Sequence, residues 1–268
     1  MSALTDTLAD GAVVAKRNLI KIKRVPDLIV FTTLSPIMFI LLFAYVFGGS
    51  IEVPGGIDYK EFLVPGIFVQ TVIFGATITG AALADDMQKG IIDRFRSLPM
   101  SRAAVLVGRT TSDVLNNVIT VTVMATTGLV VGWRVRTSLL GLLAGIALLL
   151  LFAYAFSWIF ACVGLLVPSP EVVNNASFVV IFPITFIANT FVPSQNLPNV
   201  LRVFAEWNPV SAVAQAAREL FGNTSPAVPV PDVWSLQHPV LYTLVWCAVL
   251  LVLFVPLATR LYRRAASR

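Results

Sequence analysis

The chain alternates long apolar runs with short charged segments. Six runs of uncharged, mostly apolar residues each approach or exceed the roughly 20 residues that a helix needs to cross a bilayer. Because backbone polar groups in hydrocarbon must be satisfied internally, these runs are predicted to be helices rather than strands. The predicted spans are residues 28–48, 61–84, 104–133, 138–166, 172–192 and 237–259. We therefore expect an all-α integral membrane protein with one membrane domain, residues 1–268.

Composition supports a membrane environment. The chain is 57% hydrophobic and only 12% charged, whereas a soluble domain has roughly 25% charged residues. Its net charge is +5, but the basic residues lie beside apolar runs, where they face anionic lipid headgroups. Anionic lipid is therefore an expected partner and nucleic acid is not. Cys162 and Cys247 lie inside apolar runs, so neither a disulfide nor a metal site is expected.

The distribution of basic residues predicts the orientation. Most of the 19 Lys and Arg residues lie before the first span, between the second and third spans, or after the last span. Cytoplasmic segments of membrane proteins are enriched in these residues. We expect a multi-pass protein of the bacterial inner (plasma) membrane with both termini in the cytoplasm.

The segment before the first span has an amphipathic pattern. Leu8, Ala12, Ala15, Leu19 and Ile22 recur at spacings of four and three, and basic residues lie off this stripe. The pattern predicts an interfacial helix over residues 8–25 that rests among the lipid headgroups. A partly ordered basic tail is the alternative interpretation.

The cytoplasmic segment after the second span is the most charged stretch of the chain. Residues 85–100 contain an apolar ridge at helical spacing, flanked by Arg94 and Arg96 and stopped by Pro99. Ile91, Ile92, Phe95 and Leu98 form this ridge. A solvated loop or a lipid-resting helix explains the pattern, and so does a helix that binds in a partner's groove.

Two groups within the spans could have a function. Phe178, Phe182 and Phe186 form a stripe in the fifth span, which is either an ordinary helix contact or the wall of a path for an amphiphilic cargo. Asp113 lies four residues after Arg109, and a pair that fixes the depth of the helix is the expected role. The single histidine, His238, lies at the edge of the last span, and no catalytic or metal site is expected.

Two motifs resemble a known family. The run from Lys89 to Ser101, followed by Gly108-Arg109, is similar to the signature of type-2 ABC exporter permeases of the daunorubicin-resistance class. Asp93 stands where that family usually has Glu. The run Glu206-Trp207-Asn208-Pro209, followed by Arg218, resembles the family's Asn-Pro element between two short re-entrant helices, here residues 197–221.

The resemblance implies a role for residues 85–100 as a coupling helix that contacts an ATPase subunit. The implied coupling residues are Asp86, Gly90, Ile91, Asp93, Arg94, Phe95, Arg96, Leu98, Pro99 and Ser101. It also implies a cargo path between the second and fifth spans. The implied path residues are Phe68, Phe74, Thr77, Phe178, Phe182, Phe186 and Asn189.

The chain has no Gly-x-x-x-x-Gly-Lys-Ser/Thr phosphate loop. We therefore expect a transport subunit that is not itself an enzyme and binds no cofactor. The resemblance implies an ABC ATPase subunit dimer that binds ATP and magnesium, and a second permease half that is the same chain or a relative. The expected function is outward movement of an amphiphilic drug or lipid.

Three alternative functions stay open at this point. One is export of a lipid-linked glycan. Another is a proton-coupled carrier, although Asp113 alone is too few groups to form a proton relay. The third is an intramembrane protease, which would need Ser and His deep in adjoining spans.

Overall fold

The computed structural model describes residues 26–51, 53–91, 102–167, 169–225 and 231–265, and all regular structure among them is helical. The α-helices are α1 Pro26–Leu42, α2 Tyr59–Gln88, α3 Arg102–Val131, α4 Leu139–Leu166, α5 Pro170–Ile187, α6 Asn199–Trp207, α7 Pro209–Phe221, α8 Trp234–Gln237 and α9 Pro239–Ala265. Helix α1 continues into a π-helical turn, Phe43–Phe47. The predicted all-α class is confirmed for these residues.

Five helices are long and apolar enough to cross a membrane: α2, α3, α4, α5 and α9. They coincide with the second to sixth predicted spans. The first predicted span falls on α1 and its π-helical turn, residues 26–47, which are not among these five helices. A sixth span therefore stays a prediction.

Helix α2 is the centre of the bundle. It contacts α1, α3, α4, α5 and α7, and 72% of its most apolar segment is buried, against 17% to 33% for the other four long helices. Its crossing with α4 is close because glycines meet there. A Cβ on Gly164 would lie 2.2 Å from the Gly80 carbonyl oxygen, so only the absence of a side chain permits this backbone approach.

Several helix ends differ from the predicted boundaries. Helix α5 ends at Ile187 rather than at residue 192, because Ala188 adopts an extended conformation. Helix α9 continues to Ala265 rather than ending at residue 259, and Tyr262 near its end is buried in one apolar cluster with Leu83 of α2. Helix α2 continues to Gln88 and is followed by Gly90 with φ of 63°, so the first residues of the predicted coupling helix belong to α2.

The short helices α6, α7 and α8 lie together at one end of the bundle, which we call the short-helix end. The turn after α3 also lies there, because Trp133 Nε1 donates to Asn223 Oδ1 over 2.8 Å and Asn223 Nδ2 donates to the Arg134 carbonyl over 2.8 Å. Arg136 pairs with Glu61 at the start of α2 over 2.6 Å. The predicted interfacial helix, residues 8–25, and most of the coupling segment lie outside the described residues.

Candidate functional site

A cavity of about 370 Å³ opens between α1, α2, α3 and α5. None of the described residues that line it carries a charge. Its lining is Ser35, Pro36, Phe39, Ile67, Gln70, Thr71, Phe74, Gly75, Ile78, Asn116, Asn117, Thr120, Phe178, Phe182 and Phe186. A volume of this size lies within the range of pockets for small organic molecules.

One wall of the cavity is aromatic. Phe178, Phe182 and Phe186 follow each other on α5 with ring centroids 5.1 Å and 4.0 Å apart, because side chains four residues apart lie on one face of a helix. The ring centroid of Phe74 on α2 lies 6.2 Å from that of Phe178, across the interface between the two helices. The structure therefore brings together four of the seven residues that were expected to line a cargo path.

The other three expected path residues lie elsewhere. Phe68 is buried in the core, where its ring lies 5.4 Å from Trp133 and 6.1 Å from Phe221. Thr77 Oγ1 donates to the Phe74 carbonyl of its own helix. Asn189 lies beyond the end of α5, next to Arg218. Phe68 and Phe74 are six residues apart, so they point to different sides of α2.

The facing wall of the cavity is rich in amides and hydroxyls that the sequence analysis did not assign to the path. Gln70 and Asn117 are buried side chains on α2 and α3. Thr71 and Thr120 donate to carbonyls of their own helices, which leaves their oxygens as acceptors on the cavity side. Gln70 is the only side-chain amide in the apolar run of the second span, and that feature could have revealed it.

An ion pair lies beside the cavity, one turn from Asn116 and Asn117. Arg109 Nε lies 3.3 Å from Asp113 Oδ2, and both side chains are largely buried. Asp113 Oδ2 also accepts a hydrogen bond from Thr79 Oγ1 on α2 over 2.5 Å. The opposite charges pair within α3, and both residues also contact α2, because Arg109 Nη2 donates to the Ile78 carbonyl over 3.4 Å. What this pair does during transport stays a prediction.

The Asn-Pro element forms the junction between α6 and α7. Asn208 Oδ1 accepts from the Val210 backbone amide and so caps α7, and Pro209 occupies its first position. Asn208 Nδ2 donates to the Ile184 carbonyl of α5 over 2.8 Å. Ser211, one turn later, accepts from the Asn189 backbone amide over 3.0 Å. The element thus binds the backbone at the end of α5.

Only three of the ten expected coupling residues lie in the described part of the chain. Asp86 is buried near the end of α2, and Gly90 and Ile91 follow that helix. Asp93, Arg94, Phe95, Arg96, Leu98, Pro99 and Ser101 lie outside the described residues. Their role as an ATPase contact stays a prediction.

Comparisons with known proteins identify the family. Residues 11–221 match the ABC-2 type transporter family. The chain is 34% identical to the daunorubicin resistance ABC transporter permease protein DrrB1 of Streptomyces coeruleorubidus, over 92% of this chain and 83% of that protein. It is 29% identical to the probable doxorubicin resistance ABC transporter permease protein DrrC of Mycobacterium tuberculosis, over 87% of this chain and 80% of that protein.

A putative transport permease, ycf38 of Cyanophora paradoxa, is 25% identical over 80% of this chain and 74% of that protein. The resemblance inferred from the coupling segment and the Asn-Pro element is confirmed by these matches, which extend over most of the chain. The chain therefore belongs to the ABC-2 type transporter family and is the membrane permease subunit of an ABC exporter.

Proposed function

We propose that this permease moves an amphiphilic drug or lipid outward across a bacterial inner membrane, using ATP hydrolysis in a separate ABC ATPase dimer. The observation that supports this cargo class is the uncharged cavity, which has phenylalanine rings on one side and amides on the other. Such walls suit a molecule with an apolar body and a few hydrogen-bonding groups. The relatives named for daunorubicin and doxorubicin resistance make daunorubicin the first probe to test.

The cavity favours such a cargo over a lipid-linked glycan. Its aromatic wall consists of phenylalanine, and neither tyrosine nor tryptophan is among the described residues that line it. Rings with hydroxyl or indole N–H groups would offer hydrogen bonds to sugar hydroxyls, whereas phenylalanine offers only an apolar surface. A glycan therefore fits this wall less well than a drug or lipid does.

We propose six spans, with α1 as the first, and cytoplasmic termini. Two observations support this orientation. Arg260, Arg263 and Arg264 lie at the end of α9, as cytoplasmic ends do. At the opposite end of α9, Tyr242 lies between Trp234 and Trp246, an aromatic cluster of the kind found at membrane interfaces. This orientation places the short-helix end on the outer side.

The proposed transporter contains a second permease half, either the same chain or a relative. Helix α5 has exposed apolar side chains beside the cavity, with Phe178 at 55%, Val179 at 72% and Val180 at 57%. A second half that covers these side chains would close the cavity from the side. The interfacial helix over residues 8–25 would contact anionic lipid, and the ridge around Phe95 would contact the ATPase.

The proposal is tested by reconstitution. The chain is co-expressed with a candidate ABC ATPase subunit, purified as a complex and placed in nanodiscs. We expect ATPase activity that rises severalfold with daunorubicin and saturates, whereas the ATPase alone does not respond to the drug. Failure of the two chains to form a complex would refute the proposed partner, and a complex that no amphiphile stimulates would refute the proposed cargo class.

A further inference from the structure

Arg218 is a fully buried cation at the short-helix end. It is 1% exposed and lies on the same face of α7 as Ser211. Among the ion pairs of the described residues, none includes Arg218. Burial lowers the pKa of its guanidinium to about 9. This pKa is still above neutral pH, and the guanidinium therefore stays protonated there. A buried cation without a carboxylate is costly unless other oxygens surround it.

Neutral oxygens of α2 and of the segment that follows α5 surround the guanidinium. Nε donates to the Phe62 carbonyl of α2 over 2.8 Å, and Nη2 donates to the Asn189 and Thr190 carbonyls over 2.7 Å and 3.2 Å. Nη1 donates to Asn189 Oδ1 over 3.3 Å, and the cation lies 3.6 Å from the centre of the Phe62 ring. Asn189 and Thr190 lie two and three residues after the last residue of α5, so these contacts reach the segment that leaves this helix.

These contacts hold α2 and α5 together at one point. A Cβ on Gly66 of α2 would lie 2.2 Å from the Thr190 carbonyl oxygen, so the two backbones touch beside the guanidinium. Asn208 and Ser211 bind the same end of α5 from the same short helix. The charge of Arg218 is stabilised only while both partners stay in place, because separation would leave it buried with too few acceptors.

The residue after Thr190 belongs to an aromatic cluster next to the cavity. Phe191 is buried, and its ring lies 4.8 Å from Phe186 of the cavity wall and 4.6 Å from Phe43 of α1. Its carbonyl accepts from the Tyr59 hydroxyl over 3.0 Å. The contacts of Arg218 therefore also fix the position of an aromatic layer between the cavity and the short-helix end.

We infer that Asn208, Ser211 and Arg218 form a latch that holds the ends of α5 and α2 together and keeps the cavity closed toward the outer side. Outward release then requires these hydrogen bonds to break, so Arg218 is a positioning residue of the transport cycle. The inference rests on the proposed orientation and on the cavity as the cargo path.

The latch is tested by labelling in the absence of ATP and cargo. Cys162 and Cys247 are replaced by Ala, and Thr71→Cys places one thiol in the cavity. Right-side-out vesicles receive a membrane-impermeant maleimide. We expect slow labelling with Arg218 and labelling about tenfold faster with Arg218→Gln, since several charge-assisted hydrogen bonds to the closed state are lost. Arg218→Lys should lie between them, because one ammonium cannot reach all of these oxygens.

Arg134→Gln is the matched control. Arg134 is also a basic residue at the short-helix end, but it is exposed and donates to the Leu129 and Trp133 carbonyls of its own turn, so its removal should leave the labelling rate unchanged. Ser211→Ala removes only a hydroxyl and is the variant to measure if Arg218→Gln does not insert into the membrane. Its labelling should be severalfold faster than that of the parent.

The latch is refuted if the inserted variants, present at the parental level, label at the parental rate. Inverted vesicles distinguish a wrong orientation from a wrong latch, because a reversed protein would show the same acceleration from the other side. Since no cargo is present, a failure to transport daunorubicin would leave the labelling result unaffected and would bear on the proposed function alone.

Discussion

Replacement of Phe182 by Ala tests whether the aromatic wall contacts the cargo. Phe182 is the middle ring on α5, and it is 38% exposed toward the cavity side of the helix. A phenylalanine side chain has roughly 200 Å² of surface to bury. A cargo that covers the exposed part would remove about 75 Å² from solvent, which corresponds to about 2 kcal/mol at about 25 cal/mol/Å².

This free energy sets the expected effect. A loss of about 2 kcal/mol in binding raises the half-saturating cargo concentration by about 30-fold at 25 °C. The assay is ATP-dependent uptake of daunorubicin into inverted vesicles that contain the permease and its ATPase, measured over a range of drug concentrations. The maximal rate should change less than the half-saturating concentration, because the ATPase contact lies at the other end of the proposed transporter.

Phe204→Ala is the control for this experiment. Phe204 is a half-exposed phenylalanine on α6, away from the cavity, and its removal should leave uptake unchanged. If Phe182→Ala and Phe204→Ala give the same concentration dependence as the parent, the aromatic wall does not contact the drug and the reasoning from the cavity is wrong.

Three further predictions concern the fold and the ATPase contact. Asp113→Asn should destabilise the purified protein by about 3–5 kcal/mol, because it leaves Arg109 buried without its counter-charge. A thermal unfolding curve in detergent measures this loss. The double replacement with Arg109→Gln should recover most of the lost stability. Gly164→Ala should lower the stability by about 1–3 kcal/mol in the same assay, since its Cβ would overlap the facing helix. Gly49→Ala is the control, because its Cβ meets open space and the variant should be as stable as the parent. Phe95→Asp should reduce ATPase co-purification at least tenfold, and undiminished co-purification would count against the coupling ridge.

The long helices and half of the cavity wall could be predicted from the sequence. Uncharged runs of the right length identify spans because hydrocarbon requires satisfied backbones, and a spacing of four places Phe178, Phe182 and Phe186 on one face. Helical spacing could not predict that Phe68 would be buried in the core and that Phe74 would line the cavity. Which side of α2 faces the core depends on Trp133 and Phe221, which are distant in sequence.

The end of α5 shows a second limit of sequence reasoning. Apolar composition continues past Ile187, so the predicted span extended to residue 192. The helix stops earlier because Asn208 and Ser211 bind backbone groups at its end. The resemblance identified Asn208-Pro209 as the element between two short helices, but the partners of these side chains and of Arg218 are set by tertiary contacts.

The source of energy for transport tests the account most directly. Daunorubicin uptake is measured in inverted vesicles that contain the permease together with either the active ATPase or a hydrolysis-deficient variant, with and without a protonophore. We predict uptake that requires ATP and the active ATPase and persists when the proton gradient is dissipated. Uptake that follows the proton gradient, or that continues without the ATPase, would contradict it.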